Sequence, residues 1–283
     1  MNQEVYHIPA LLPESLSALD IRPGGIYVDA TLGGGGHSRA IAAMLGDGGR
    51  LYSFDQDADA IERAFTAPGF TPIHGNFRFM ANYLDYYGVL GRVDGILADL
   101  GVSSHHFDDA SRSAADIVAG AEAAELARLF KIYGELPQAR RLADAIVKAR
   151  NTAPVDTTGR LVEVVSPLVS RAKEKKELAQ VFQALRIAVN GEMDALESFL
   201  NQCVEALRPG GRLAVITYHS LEDRMVKNFM RTGRTDGHEE KDLFGRSSSP
   251  MKPLGSKPIV PTDDEVERNP RSRSAKLRVA TKL

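Results

Sequence analysis

The chain is poor in cysteine, lacks long apolar runs and has almost no net charge. A single cysteine, Cys203, stands among its 283 residues. That excludes an internal disulfide framework and any zinc site built from several thiolates. No apolar run approaches the roughly 18 residues that a membrane span requires. The opening stretch, MNQEVYHIPALLPESL, has neither a basic leader nor a long apolar segment, so no secretory signal is expected. The expected compartment is the cytoplasm. A net charge of -2 does not by itself mark a nucleic-acid binder.

The chain is otherwise ordinary for a globular protein, with 43% hydrophobic and 25% charged residues. Its length suits one large domain or two modest ones. Charge is unevenly spread: residues 1–108 hold 6 Lys and Arg against 13 Asp and Glu, and the remainder is net basic. The last stretch, NPRSRSAKLRVATKL (269–283), carries five basic residues and no acid. It reads either as a solvated edge or as a contact for phosphates, where Lys and Arg would release counterions.

The first hundred residues alternate between short β-rich runs and helical patterns. IYVDAT (26–31), RLYSFD (50–55), TPIHGNF (71–77) and VDGILADLG (93–101) read as strands. HSRAIAAML (37–45) and DADAIERAF (57–65) read as helices between them. The fourth strand is almost wholly apolar, as expected of a parallel strand covered on both faces. This rhythm predicts a doubly wound α/β sheet with right-handed crossovers. It then breaks. Residues 111–189 show helical patterns only, at 113–120, 123–134, 139–150, 159–173 and 175–189, and predict a helical subdomain inserted between core segments 1–110 and 190–283. The sheet pattern resumes with a helix whose Met193, Leu196, Leu200, Cys203, Val204 and Leu207 share one face, which places Cys203 in the core. RPGG (208–211) reads as a turn, RLAVITYHS (212–220) as a fifth strand and 232–257 as a long surface loop. KLRVATKL (276–283) reads as a last strand at the sheet edge, beside KPIVP (257–261).

Chemistry concentrates at two strand ends. In VDATLGGGGHS (28–38) a strand ends, four glycines follow and a helix begins. Glycines let the backbone turn tightly and approach a ligand without a Cβ in the way, and the helix start offers amide N–H groups to an anionic group. Asp55 follows at the end of the second strand, where a carboxylate accepts hydrogen bonds from the ribose hydroxyls of an adenosine cofactor. A glycine-rich turn without a ligand is the alternative. The motif does not choose between NAD and S-adenosylmethionine, although the glycine run ending in His37 lacks the usual G-x-G-x-x-G step and tilts toward a methyl donor. The second strand end is ADLGVSSHHFDD (98–109), dense in groups that bind and polarise: Asp99, Ser103, Ser104, His105, His106 and Asp108. In an open doubly wound sheet, ligands lie beyond such carboxyl ends. No H-E-x-x-H or paired-cysteine spacing accompanies them, so no metal is expected.

These segments together resemble the ribosomal RNA small subunit methyltransferase H family. The resemblance is carried by HIPALLPESL, VDATLGGGGHS, FDQD, HGNF, DGILADLGVSS, FQALRIAVNGE, LRPGGRLAVITYHSLEDRMVKNFM and NPRSRSAKLRV, and spans nearly the whole chain. It implies a Rossmann-like methyltransferase sheet with an inserted helical substrate domain. It also implies methyl transfer from S-adenosylmethionine to N4 of a cytidine in the decoding region of 16S ribosomal RNA. The implied cofactor residues are Gly35, Gly36, His37, Asp55, Phe77, Asp99 and His106, with Phe77 against adenine, Asp55 at the ribose and Asp99 near the methyl group. Two departures stand out. Many relatives have glutamine where this chain has His106. Relatives also carry a further stretch rich in Phe, Gly, Asp, Met and Arg after the DDA-type sequence, whereas here Ala110-Ser111-Arg112 leads almost directly into the helical insertion.

For the chemistry, Asp99 is the expected acceptor for the cytosine amine, and His219 at the end of the fifth strand is a second candidate for orientation or proton removal. A structural histidine is the alternative for His219. The base must leave its stack to be reached, held by the helical insertion and the basic C-terminal segment. The partner is then the small ribosomal subunit or its RNA, no membrane is expected, and the oligomeric state is left open, with a dimer among the options. Two other classes compete: a nicotinamide-dependent oxidoreductase, and a ribosome-assembly factor that keeps the fold without catalysis.

Overall fold

A computed structural model describes residues 8–101, 113–240 and 248–283. Two compact units are resolved within the chain, one from Met1–His106 with Asp194–Leu283 and one from Phe107–Met193.

The first unit opens with α1 (Leu12–Leu19), then β1 (Ile26–Asp29), α2 (Gly36–Leu45), β2 (Arg50–Asp55), α3 (Ala58–Glu62), β3 (Phe70–His74), α4 (Met80–Tyr86) and β4 (Val93–Asp99). The second unit contains α5 (Ala114–Gly120), α6 (Ala123–Ile132), α7 (Ala139–Arg150), α8 (Thr158–Val165) and α9 (Glu174–Asn190). The chain continues through α10 (Glu192–Ala206), β5 (Leu207–Thr217), α11 (Ser220–Thr232), β6 (Met251–Pro253), α12 (Asp263–Arg268) and β7 (Lys276–Lys282).

The sheet has the order β3-β2-β1-β4-β5-β7-β6. Strands β1 to β5 are mutually parallel, and β7 runs antiparallel to both β5 and β6. The inner parallel strands β1, β2, β4 and β5 are largely buried because both of their faces are covered, whereas β3 at the edge is mostly not. Tyr27, Leu51, Leu97, Ala214 and Ile216 join Ile41 and Leu45 of α2 and Leu19 of α1 in one buried cluster. This is the doubly wound Rossmann-like sheet that the strand and helix rhythm predicted.

Three expectations need correction at the far end of the sheet. RPGG does not interrupt β5. The pairing with β4 shifts register instead, from Val93 opposite Leu207 to Gly95 opposite Arg212, so residues 208–211 form an irregularity inside one strand, with Gly210 at φ 79. The C-terminal strand does not lie at the edge. It lies between β5 and β6, and the 257–261 segment touches it only through the bridge from Ile259 to Leu277. The edge strand itself, β6, comes from a region read as surface loop, since three residues are too few to display an alternation.

The placement of β7 also commits part of the basic C-terminal stretch. Arg278 forms a double hydrogen bond to Asp223 of α11, at 2.6 and 3.1 Å. Lys282 donates to the Val204 and Leu207 carbonyls. Burial pulls the Asp223 carboxyl up, but Arg278 and Lys276 outweigh it and hold the group below the ordinary carboxylate range. A depressed carboxylate stabilises the fold above its unfolded pKa of about 3.9 and loses that contribution as pH falls through its folded value. The stability gap between wild type and Asp223→Asn, read by denaturant melts, is therefore expected to be constant near neutrality and to shrink below about pH 4. A gap that widens on acidification would contradict the pairing.

The helical unit has its own core. Leu126 and Phe130 of α6, Leu142, Ala143 and Ile146 of α7, Val165 of α8 and Val181, Ala184 and Leu185 of α9 are buried together. Each helix contributes a stripe at 3.6-residue spacing, which is how the sequence displayed these helices. Within this unit the buried Glu177 accepts hydrogen bonds from Gln138 Nε2 (2.6 Å) and Ser170 N (3.0 Å).

Candidate functional site

The chain leaves β1 toward β2 and β3 on one side, and leaves β4 toward β5 on the other. The carboxyl ends of β1 and β4 therefore form the topological switch, where open α/β sheets bind their ligands. Both chemistry-bearing segments picked out in the sequence start there.

The glycine segment after β1 is fixed by backbone bonds. Leu32 N donates to Phe54 O (2.7 Å), and Gly35 N to Leu32 O (2.7 Å). Gly33 N donates to Asp55 Oδ2 at 2.7 Å. Gly33 and Gly35 have φ of 49 and 75, a left-handed backbone that side chains resist. In front of Gly33 lies open space, with no atom within 4 Å of the position a Cβ would take. Gly35 is the N-cap of α2. Gly36 is constrained differently: an added Cβ would come within 2.8 Å of the Pro9 ring.

His37 is buried, with Nε2 3.1 Å from the Ala10 carbonyl and Nδ1 3.8 Å from Asp99 Oδ2. It joins the N-terminal HIPALL segment to the end of β4. The same segment is held from another side, where Leu11 N donates to Glu265 of α12. Asp55, at the end of β2, accepts from Gly33 N and from Asp57 N (2.9 Å). A carboxylate offers about four acceptor positions, so these two bonds orient it and leave acceptor capacity for a ligand. Phe77 opens a short 3-10 turn after β3, capped by Asn76, and packs edge-on against the buried Phe199 at 5.3 Å.

Asp99 ends β4 with its side chain 19% exposed. Its backbone N–H donates to Thr31 Oγ1 at 2.7 Å. Its Oδ1 accepts from the Tyr218 hydroxyl at 2.8 Å and from Gly101 N at 3.4 Å. The structure thus draws the glycine loop, His37, Asp55 and Asp99 into one polar region. His106, with the rest of residues 102–112, lies outside the described residues.

His219 caps α11. Its Nδ1 accepts from Glu222 N (3.4 Å), and the Glu222 carboxylate accepts in return from the N–H of Tyr218 (2.9 Å) and of His219 (3.3 Å). Nε2 stands 3.0 Å from Glu222 Oε1, an ion-pair distance without hydrogen-bond geometry. These contacts hold the start of α11, and it is the preceding Tyr218 that reaches Asp99. Cys203 is fully buried on α10 and its thiol pKa is pushed up by burial, the state of a packing residue.

Sequence reasoning missed Asp29, Thr31, Ser38 and Tyr218. Asp29 is completely buried at the end of β1. It accepts from Ser38 Oγ (2.6 Å) and Thr31 N (3.0 Å), and Ser38 Oγ lies 2.8 Å from Ser53 Oγ. Burial raises the Asp29 carboxyl to about 6 against the opposing pull of His37, Ser38 and Thr31, with Asp99 adding a further upward push. The folded state then holds a proton that the unfolded chain releases near pH 4, so stability falls as pH rises between those values. The Asp29→Asn variant is expected to abolish that decline in thermal melts between pH 4.5 and 7. An identical decline in the variant would assign it to another group. The available signal was a carboxylate closing a short strand read as buried on both faces.

A protein-family model described as the MraW methylase family matches residues 4–113 and 109–283. The two matches meet where the sequence showed a shortened segment after Ala110. A curated relative from Parabacteroides distasonis named "Ribosomal RNA small subunit methyltransferase H" is 55% identical, with 98% of each chain covered. A relative of the same name from Bacteroides fragilis strain YCH46 is 53% identical over 99% of this chain and 98% of its own. The first alignment runs over 298 positions against the 283 residues here, consistent with a shorter segment in this chain. Among solved structures, an rRNA methylase from Streptococcus thermophilus aligns over 98% of both chains at 14% identity and a TM-score of 0.41. The family match and the relatives 53–55% identical over nearly the full chain, not the fold likeness, set aside the nicotinamide-dependent oxidoreductase. The chain belongs to the MraW methylase family, and it is a methyltransferase that uses S-adenosylmethionine.

Proposed function

We propose that this protein transfers a methyl group from S-adenosylmethionine to N4 of a cytidine in the decoding region of 16S ribosomal RNA. The observation that carries the reading is the Asp99 carboxylate, fixed at the end of β4 across the switch point from the glycine loop. Support for the RNA comes from the names of relatives 53–55% identical over nearly the full chain. The residues present suit the cofactor. The open left-handed Gly33 and the Gly35 cap give the backbone approach, Asp55 would hold the ribose, Phe77 would pack against adenine, and Gly36 and His37 keep the loop in place. When bound, S-adenosylmethionine supplies an electrophilic methyl group.

The remaining work falls to the protein. The exocyclic amine of cytosine is a poor nucleophile because its lone pair is delocalised into the ring. Asp99 accepts a hydrogen bond from that amine, holds the nitrogen in line and favours its pyramidal form. It is also placed to accept the proton that the methylated amine must lose. His219 serves this arrangement by capping α11, whose Glu222 holds the Tyr218 backbone. With Cys203 in the core and N4 attacking the methyl group directly, no covalent cysteine intermediate is expected.

RNA engagement is assigned to the helical unit and to the C-terminal segment. Arg278 is paired with Asp223, and phosphate contact is assigned to Arg271 and Arg273, which are exposed on the same segment. Replacing both with alanine is expected to flatten the slope of log affinity against log salt by roughly 1.5 units. An unaltered slope would return this segment to the solvated edge.

The direct test is mass spectrometry of 16S RNA from cells with and without the active protein. One additional methyl on a decoding-region cytidine is expected only when the protein is active, and identical spectra would sink the assignment. The shortened segment after Ala110 favours one competing reading, an assembly factor that binds cofactor and subunit without turnover. Identical spectra together with intact cofactor binding would support it.

A further inference from the structure

We infer that Tyr218 is a positioning residue for methyl transfer, its hydroxyl setting the direction in which the Asp99 carboxylate meets the substrate amine. This rests on the reading of Asp99 given above.

The placement follows from the sheet. β4 and β5 are parallel neighbours, with Asp99 opposite Ile216, and Leu100 N donates to Ile216 O at 3.0 Å. Tyr218 follows the end of β5 and so emerges beside the end of β4. Its backbone is held by Glu222 Oε2 at 2.9 Å. Its ring lies against Gly101, where an added Cβ would come within 3.3 Å of Cε2. From that position the hydroxyl donates to Asp99 Oδ1 at 2.8 Å.

A carboxylate attached to one methylene is a broad two-fold rotor, so its two oxygens exchange places unless something holds them. In Asp99 the backbone is held by Thr31, and one oxygen is held by Tyr218 and Gly101. The other oxygen, Oδ2, faces His37 Nδ1 at 3.8 Å. Burial and the adjacent Asp99 carboxylate keep the Tyr218 hydroxyl protonated far beyond the ordinary phenol range. It is therefore a lasting donor and not a proton acceptor. Residues 99 and 218 are 119 positions apart, and the strand order is what brings them together.

The test compares Tyr218→Phe, Asp99→Asn and the double variant in the full chain, with small-subunit RNA as substrate. Phenylalanine keeps the ring against Gly101 and removes only the donor. Tyr218→Phe is expected to lower kcat about tenfold, with unchanged KM for cofactor and RNA, calorimetric cofactor affinity and melting temperature. In the Asp99→Asn background the same change is expected to have little further effect, because the carboxylate it orients is gone. Wild-type kcat in Tyr218→Phe, or an equal loss in both backgrounds, would overturn the inference. A purely structural role would instead lower the melting temperature or raise KM. Wild-type kcat in Asp99→Asn would be a separate failure, that of the Asp99 reading itself.

Discussion

Asp99→Ala is expected to lower methyl-transfer turnover by about 10²–10³-fold, the range seen when a single preorganised polar group is removed from a reacting centre. Cofactor affinity measured by calorimetry should stay within roughly threefold of wild type, a change under 1 kcal/mol. The separation is expected because the glycine loop and Asp55 are held by bonds that do not involve the Asp99 side chain. The end of β4 also keeps its place, since its contact with Thr31 runs through the Asp99 backbone N–H. Undiminished turnover would remove Asp99 from the chemistry. A parallel loss of cofactor affinity and turnover would make it a binding residue only.

Asp55→Ala is expected to act on binding instead. The substitution removes two hydrogen bonds to a charged acceptor at the ribose, each contributing about 1.5 kcal/mol, and so raises the cofactor Kd by roughly a hundredfold. It also leaves Gly33 N and Asp57 N without their acceptor, which loosens the glycine loop. At saturating cofactor, kcat should largely recover, the pattern of an interaction shared by ground state and transition state. An unchanged Kd would defeat the ribose assignment.

Much of this fold was legible in the sequence for a physical reason. Parallel strands covered on both faces must be apolar along their length, and amphipathic helices must carry a stripe. β4 and the helices of the inserted unit show those patterns openly. The glycine segment and Asp55 were legible because backbone conformation and close approach restrict the residues allowed there. Short elements such as β6 and α12 carry too few residues to set up a period. Register shifts were equally hidden: RPGG reads as a turn in isolation, and only its pairing with β4 keeps it inside β5. The tertiary contacts at the site were the least visible. Tyr218 looked like one more aromatic at a strand end, and nothing local links it to Asp99. His219 drew attention as a strand-end histidine, yet its Nδ1 is used to start α11. Arg278 looked like part of a basic tail, whereas Asp223 holds it inside the protein.

The central claim is geometric: the glycine loop after β1 and the carboxylate ending β4 enclose one cofactor site. A crystal structure with S-adenosylhomocysteine tests it most directly. The prediction is ribose hydroxyls on Asp55, adenine against Phe77 and the sulfur turned toward Asp99. A nucleoside bound elsewhere, with Asp55 and Asp99 left untouched, would contradict it.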